Sequence, residues 1–316
     1  YGCDALCRSL WMEARTFGIP TVYHVFNGNH HHYRFPLHDM VLTDSEATAK
    51  IYKETEGLTI HPYGICINAD LVTAKTRNPQ TVTFINPAFA KGVAIVARLI
   101  LMANKERPDI SFMVVESRKK FADALRALKK PGDEVGSAFQ NQTFKNIALR
   151  DATFNVSEIY ATTKVLVAPS LWYESWGRVT TEATMNGIPV LASQSGGIPE
   201  AVGTGGITLP VPESNQGKDE NWLVLPSEEE CRPWADALYE LYDNTEKWQE
   251  GCRKNAEQHS LKVTGDRILK LLQPLLRKKA GDNDFTRLGS VRYDGDPLDW
   301  EEFKKADKKR AKPASE

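Results

Sequence analysis

Two short apolar runs, Lys164-Val165-Leu166-Val167-Ala168 and Pro189-Val190-Leu191-Ala192, flank a stretch with helical spacing. This arrangement limits the possible folds more than any other part of the chain. Pro169 stops the first run, and the helical stretch, from about Trp176 to Asn186, is closed by Gly187. Strand, helix and strand on this scale make a parallel pair joined by a crossover. The unit recurs upstream. Thr81–Ile85 reads as a strand followed by a helix from Lys91 to about Lys105, and Ile110–Val115 as a strand followed by a helix over Phe121–Leu128. Asn146–Leu149 adds a further short strand. Residues 78–260 therefore predict a doubly wound parallel sheet.

The same alternation, less regular, precedes it. Asp4–Phe17 has helical spacing, Thr21–Val25 and Met40–Leu42 read as strands, and Ser45-Glu46 opens a helix to about Glu56. Leu58–Ile67 reads as a third strand region broken by Pro62 and Gly64. Beyond residue 260, Asp266–Arg277 is amphipathic and 281–316 is polar, with a basic end at Lys304–Lys312. Two readings of that end stand: a solvated tail, or adhesion to an acidic lipid surface. The expected layout is 1–77, 78–265, a C-terminal helix over 266–280 and a charged tail over 281–316. The chain opens on Tyr1 in mid-pattern, so a start inside a longer protein is expected.

Composition narrows the function classes. The 316 residues carry 40 basic and 41 acidic side chains, a net charge of −1, so nothing draws the chain as a whole to nucleic acid. No run of 18 apolar residues exists, and no signal peptide is seen. Five cysteines at scattered spacing (3, 7, 66, 231, 252) suit buried free thiols in a reducing compartment, hence a cytoplasmic protein, better than a zinc site. His30-His31-His32 invites a metal reading, but neighbours on an extended segment point to alternate faces. We expect no metal.

The chemistry concentrates in Val167–Ala201, VAPSLWYESWGRVTTEATMNGIPVLASQSGGIPEA. Ser175–Arg178 read as the first turn of a helix, whose N–H groups lack intrahelical partners and attract anions, and Gly177 lets a phosphate come close. Glu174, just before that turn, is suited to accept hydrogen bonds from sugar hydroxyls, and Glu182 to hold ribose hydroxyls. The plain alternative makes both ordinary helix-surface acids. A glycosidase pair is disfavoured, because eight helical residues rise about 12 Å against the roughly 5–9.5 Å such pairs need. Gly196-Gly197 admits two readings, close approach to a ligand or a simple tight turn.

ESWGRVTTEA, followed by NGIPVLAS and SGGIPEAVG, resembles the donor-site signature of retaining glycosyltransferases of family four, glycosyl transferases group 1. FINPAFAKG, IYATTKVLVAPS and DMVLTDSEATAKIY resemble further segments of that family, so the similarity spans about residues 10–275. The resemblance implies a GT-B architecture of two Rossmann-like domains, the N-terminal one incomplete at Tyr1. It implies a hexosyltransferase of carbohydrate biosynthesis that moves a sugar from a nucleoside diphosphate donor, UDP first, to a saccharide, glycolipid or small-molecule hydroxyl. No metal or other cofactor is implied.

Carried onto this sequence, the resemblance makes His24, Lys91 and Glu174 catalytic. It places Asn86, Lys91, Glu174, Ser175, Trp176, Gly177, Arg178, Val179 and Glu182 on the donor. The family often has an Arg in the loop before that Lys. Here Asn86-Pro87-Ala88-Phe89-Ala90 carries none, leaving Arg178 or Arg118 to replace it, or Lys91 and the helix start alone. Two alternatives remain: a nucleotide-sugar-binding or scaffold module without turnover, and a nucleotide-sugar epimerase.

Overall fold

The computed structural model describes residues 8–26, 38–136, 138–139 and 144–276. The chain divides into two compact units, 1–271 and 272–316. The first holds two parallel sheets.

The larger sheet is built from β4 (Thr81–Ile85), β5 (Ser111–Glu116), β6 (Ile147–Asp151), β7 (Thr163–Ala168), β8 (Val190–Ser193) and β9 (Gly206–Leu209). They lie in the order β6-β5-β4-β7-β8-β9, all parallel. Alternation along each strand divides the core. Val82, Phe84, Val165, Val167 and Leu191 point to one face, against α4 (Val93–Glu106), α5 (Phe121–Ala127) and α9 (Glu228–Asp243). Leu166, Val190 and Ala192 point to the other, against α6 (Ser157–Thr162), α7 (Arg178–Met185) and α8 (Ile198–Val202). With both faces covered, the strands are apolar at nearly every position, which made them legible as continuous runs.

The smaller sheet pairs β1 (Val22–Val25), β2 (Met40–Thr43) and β3 (His61–Pro62) in that order. It carries α2 (Glu46–Glu56), and its core of Tyr23, Val25, Val41, Ala49, Tyr52 and Ile60 is flanked by Trp11 of α1 (Arg8–Thr16). A short α3 (Ala69–Val72) leads toward the larger sheet.

Four expectations need correcting. The third strand region, 58–67, shrinks to two residues, because Pro62 lacks an N–H and Gly64 turns at φ 90°. The helix expected from Lys91 begins at Val93, since Gly92 at φ 81° ends a tight turn over Phe89–Lys91. The helix expected from Trp176 begins at Arg178, because Gly177 sits at φ 93°, outside right-handed helical space. The amphipathic helix expected over 266–277 is α11, Leu261–Leu272. Ser260 starts it by accepting the Val263 N–H on its hydroxyl, and Pro274 lies in the turn that follows. Before it, α10 (Gln249–Gln258) packs on α7.

Cys231 and Cys252 are buried free thiols, pushed up to about 12 by burial, but Cys66 is exposed because its segment is irregular. Cys3, Cys7, the His30–His32 cluster and the basic end lie outside the described residues.

Candidate functional site

The order β6-β5-β4-β7-β8-β9 reverses direction between β4 and β7, and ligands of such sheets bind outside the carboxyl ends of the strands at that point. A cavity of about 490 Å³ lies there. Its walls come from the loops after β4, β5 and β7 and from the start of α7.

The β4 loop begins at Asn86, in the left-handed region at φ 67°, with its Oδ1 buried and unpartnered among the described residues. The loop is then clamped to its neighbour. Leu171 and Trp172 N–H groups donate to the Ala90 carbonyl at 2.9 and 3.3 Å. A Cβ on Gly92 would stand 2.0 Å from the Pro169 carbonyl oxygen, so only glycine allows this approach. Lys91 is thereby held beside Glu174: its Nζ donates to Glu174 Oε1 and lies 5.4 Å from the Trp172 ring centroid. Ser170 donates to the same oxygen at 2.8 Å. Glu174 therefore sits inside a donor set rather than on a helix surface.

Glu182 is also no surface acid. It is buried, accepting from the Tyr160 hydroxyl at 2.8 Å and from Arg178 Nε at 2.5 Å. Burial, and then the Glu182 carboxylate, raise the Tyr160 hydroxyl well above its usual range, which keeps it a donor.

Asn86, Lys91, Glu174, Gly177, Arg178 and Val179 line one cavity, as do Arg118 and Trp172. His24, Ser175, Trp176 and Glu182 are not among the residues that line it. His24, expected to be catalytic, is wholly buried, its ring tilted against that of Phe26 with centroids 3.7 Å apart. Its Nε2 lies 3.0 Å from Asp44 Oδ1, and the other Asp44 oxygen accepts from Ser175 Oγ at 3.0 Å. Trp176 is buried, donates its indole N–H to Thr181 at 2.8 Å, and meets the His259 ring edge-on at 4.8 Å.

The Gly196-Gly197 turn is packed on the Glu174-Ser175 backbone. A Cβ at Gly196 would lie 2.0 Å from the Glu174 carbonyl oxygen, and one at Gly197 would lie 2.1 Å from that of Ser175. The Gly197 N–H donates to Glu174 at 2.8 Å.

Sequence reasoning missed Asp44, Tyr160, Ser170 and Trp172. Asp44 stood in plain view between a strand end and a helix cap, but its partner Ser175 is 131 residues away. Among the described residues no group of three or more His, Cys, Asp or Glu side chains is placed to hold a metal, and no helix is long and apolar enough to cross a membrane.

No curated protein sequence matches the chain. Among solved structures, the pneumococcal O-GlcNAc transferase GtfA, in complex with UDP and GlcNAc, aligns with 85% of this chain at TM-score 0.64 and 16% identity. The chain spans 55% of that protein's length. A glycosyltransferase from Rickettsia africae ESF-5 aligns at TM-score 0.59 and 12% identity, covering 86% of this chain and 81% of its own. Anabaena Alr3699/HepE, in complex with UDP and glucose, aligns at TM-score 0.58 and 14% identity, covering 83% and 74%. At these identities the likeness is one of fold. The chain has the GT-B architecture of these glycosyltransferases, with a smaller N-terminal sheet, and its residues 145–257 match the family of glycosyl transferases group 1.

Proposed function

We propose that this chain is a cytoplasmic, retaining hexosyltransferase of carbohydrate biosynthesis. It transfers a sugar from a nucleoside diphosphate donor, with UDP the first choice of base, to a hydroxyl of a saccharide or glycolipid. The observation that carries the reading is the Lys91–Glu174 pair, set in the switch-point cavity next to the Gly177 start of α7. The match over 145–257 supports it, as does UDP in the GtfA and HepE structures. We assign residues 1–77 to the acceptor side and 78–265 to the donor side.

Without donor, Lys91 and Glu174 neutralise each other. A donor separates their tasks. Its diphosphate takes the Lys91 ammonium together with the Arg178 and Val179 N–H groups, and its sugar hydroxyls donate to the Glu174 carboxylate that Lys91 gives up. Asn86 Oδ1, buried without a partner, accepts a further donor hydroxyl. Glu182, fixed by Tyr160, is set to hold the ribose once Arg178 shares it. Ser175 and Trp176 shape the loop from behind. His24 acts as a positioning residue: through Asp44 it braces Ser175, the residue next to Glu174.

In the transfer the bond from the anomeric carbon to the phosphate oxygen breaks, and its electron pair stays on the diphosphate. The acceptor oxygen bonds to the same face of that carbon, and its proton passes to the departing phosphate oxygen. Lys91 and the helix start stabilise the charge that develops there. Glu174 is the one carboxylate lining the cavity among the described residues, and it is engaged by Lys91 and Ser170. That favours front-face attack over a covalent glycosyl-enzyme.

The test is sugar transfer and donor hydrolysis by the intact protein with UDP-, GDP- and ADP-sugars, in EDTA. Activity should persist in EDTA and fall at least 100-fold in Glu174→Ala. Trapping a glycosyl-enzyme would sink the front-face route. Donor binding without turnover would make the chain a binding module, and donor isomerisation without acceptor an epimerase.

A further inference from the structure

We infer that Arg118 is a second cation for the donor diphosphate, an inference that rests on the reading of the cavity as a nucleotide-sugar site. A diphosphate ester brings about two negative charges into the cavity, and burying them requires matching positive charge. Three cationic side chains line it: Lys91, Arg118 and Arg178. Two of them are engaged, Lys91 by Glu174 and Arg178 by the buried Glu182. Arg118 has no ion pair and no side-chain hydrogen bond among the described residues.

The neighbours of Arg118 show that this freedom is particular to it. It opens a run of three cations, Arg118-Lys119-Lys120, just past the carboxyl end of β5. Lys119 lies over the Phe89 ring, 4.1 Å from its centroid. Lys120 pairs with Glu116 and Asp151, both at 2.9 Å. These contacts hold the second and third side chains away from the cavity, and Arg118 is the member of the run that lines it. Because β5 adjoins β4, Arg118 and Lys91 come from neighbouring loops of the same crevice. A guanidinium there presents a planar fork of donors that matches phosphate oxygens two at a time.

Arg118 is exposed, so its replacement should leave the fold intact, with an unchanged Tm as the control. The experiment measures dissociation constants of UDP, GDP and ADP by calorimetry, of inorganic pyrophosphate by competition with UDP, and of uridine by ligand-observed NMR. Wild type, Arg118→Ala, Arg118→Lys and a control, Arg126→Ala on α5, are compared. Arg118→Ala should weaken UDP and pyrophosphate by a similar factor, about tenfold, and leave uridine unchanged. Arg118→Lys should recover part of the loss, and Arg126→Ala should match wild type. Unchanged UDP binding in Arg118→Ala overturns the inference. So does a loss for UDP and uridine with pyrophosphate unaffected, which would put Arg118 on the nucleoside. If wild type binds none of UDP, GDP and ADP, the reading of the cavity itself fails. That result is distinct from normal UDP binding by both wild type and variant.

Discussion

His259 ends α10 with its ring buried, its Nδ1 unpartnered among the described residues, and Trp176, Gly64 and Arg267 around it. Burial, and then the Arg267 charge, lower its pKa from 6.5 to about 4. Between those values the unfolded chain takes up a proton that the folded one refuses. The contribution of this ring to stability is therefore intact above pH 6.5 and is lost as the pH falls toward 4, by on the order of 3 kcal/mol. Urea denaturation of wild type and His259→Phe across pH 4 to 7.5 should show the two curves separating at the acid end, with the variant losing less. Parallel curves would mean that the ring finds a proton acceptor in the folded protein. Such a residue cannot be singled out from sequence. Nothing local distinguishes it from a surface histidine, and Trp176 and Gly64, which pack against it, lie about 80 and 195 positions away. Glu174, Glu182 and Lys91 were legible because a motif marked them. Their partners Ser170, Tyr160 and Trp172 were not, because any of several neutral side chains could have served.

At the scale of elements, glycines decide where the site's turns begin and end. Gly197 has no room for a side chain: an added Cβ would lie 2.1 Å from the Ser175 carbonyl oxygen and 2.7 Å from Ser45 Cβ. Gly265, inside α11, would place a Cβ in open space. Gly197→Ala should therefore destabilise by about 3 kcal/mol, as overpacking against backbone does. Gly265→Ala should stabilise by roughly 0.5–1 kcal/mol, as in an ordinary helix interior. Thermal melts of the pair read both signs at once, and equal effects would refute the packing described for the Gly196-Gly197 turn. The strands of the larger sheet were readable because burial on both faces writes long apolar runs. The starts of α4 and α7 were each misplaced by two residues because helical periodicity continues across Gly92 and Gly177. The left-handed backbone at those glycines is a matter of tertiary packing, as the approach of Gly92 to Pro169 shows.

For the molecule as a whole, the contacts between the two sheets are polar and specific. Glu200, on α8, accepts the Glu46 and Ala47 N–H groups at 2.8 Å each, completing a helix start that Ser45 also caps. A carboxylate in that position satisfies orphan donors and suits the helix dipole. Asn186 bonds the Val72 carbonyl and the Ala74 N–H, and Arg77 reaches the Asn186 and Thr163 carbonyls at 2.6 Å each. With this fastening, Glu200→Ala should cost about 1 kcal/mol. The loss should lower the melting of the whole unit rather than free the smaller sheet to melt first. Calorimetry resolving one shifted transition supports this, and a new low-temperature transition counts against it. Apart from the Ser45 cap, none of these bonds was foreseeable, since each joins residues more than 80 positions apart.

The Glu200 contact also has a consequence for engineering. Under the proposed function, testing which part of the chain selects the acceptor invites chimaeras, with a foreign first half grafted onto this second half. Any graft meets a carboxylate already aimed at a helix start. A donor segment that supplies an aspartate or glutamate as its own cap there would set two like charges against each other. Chimaeras should be chosen by the residue that aligns with Ser45, or carry a neutral side chain at position 200.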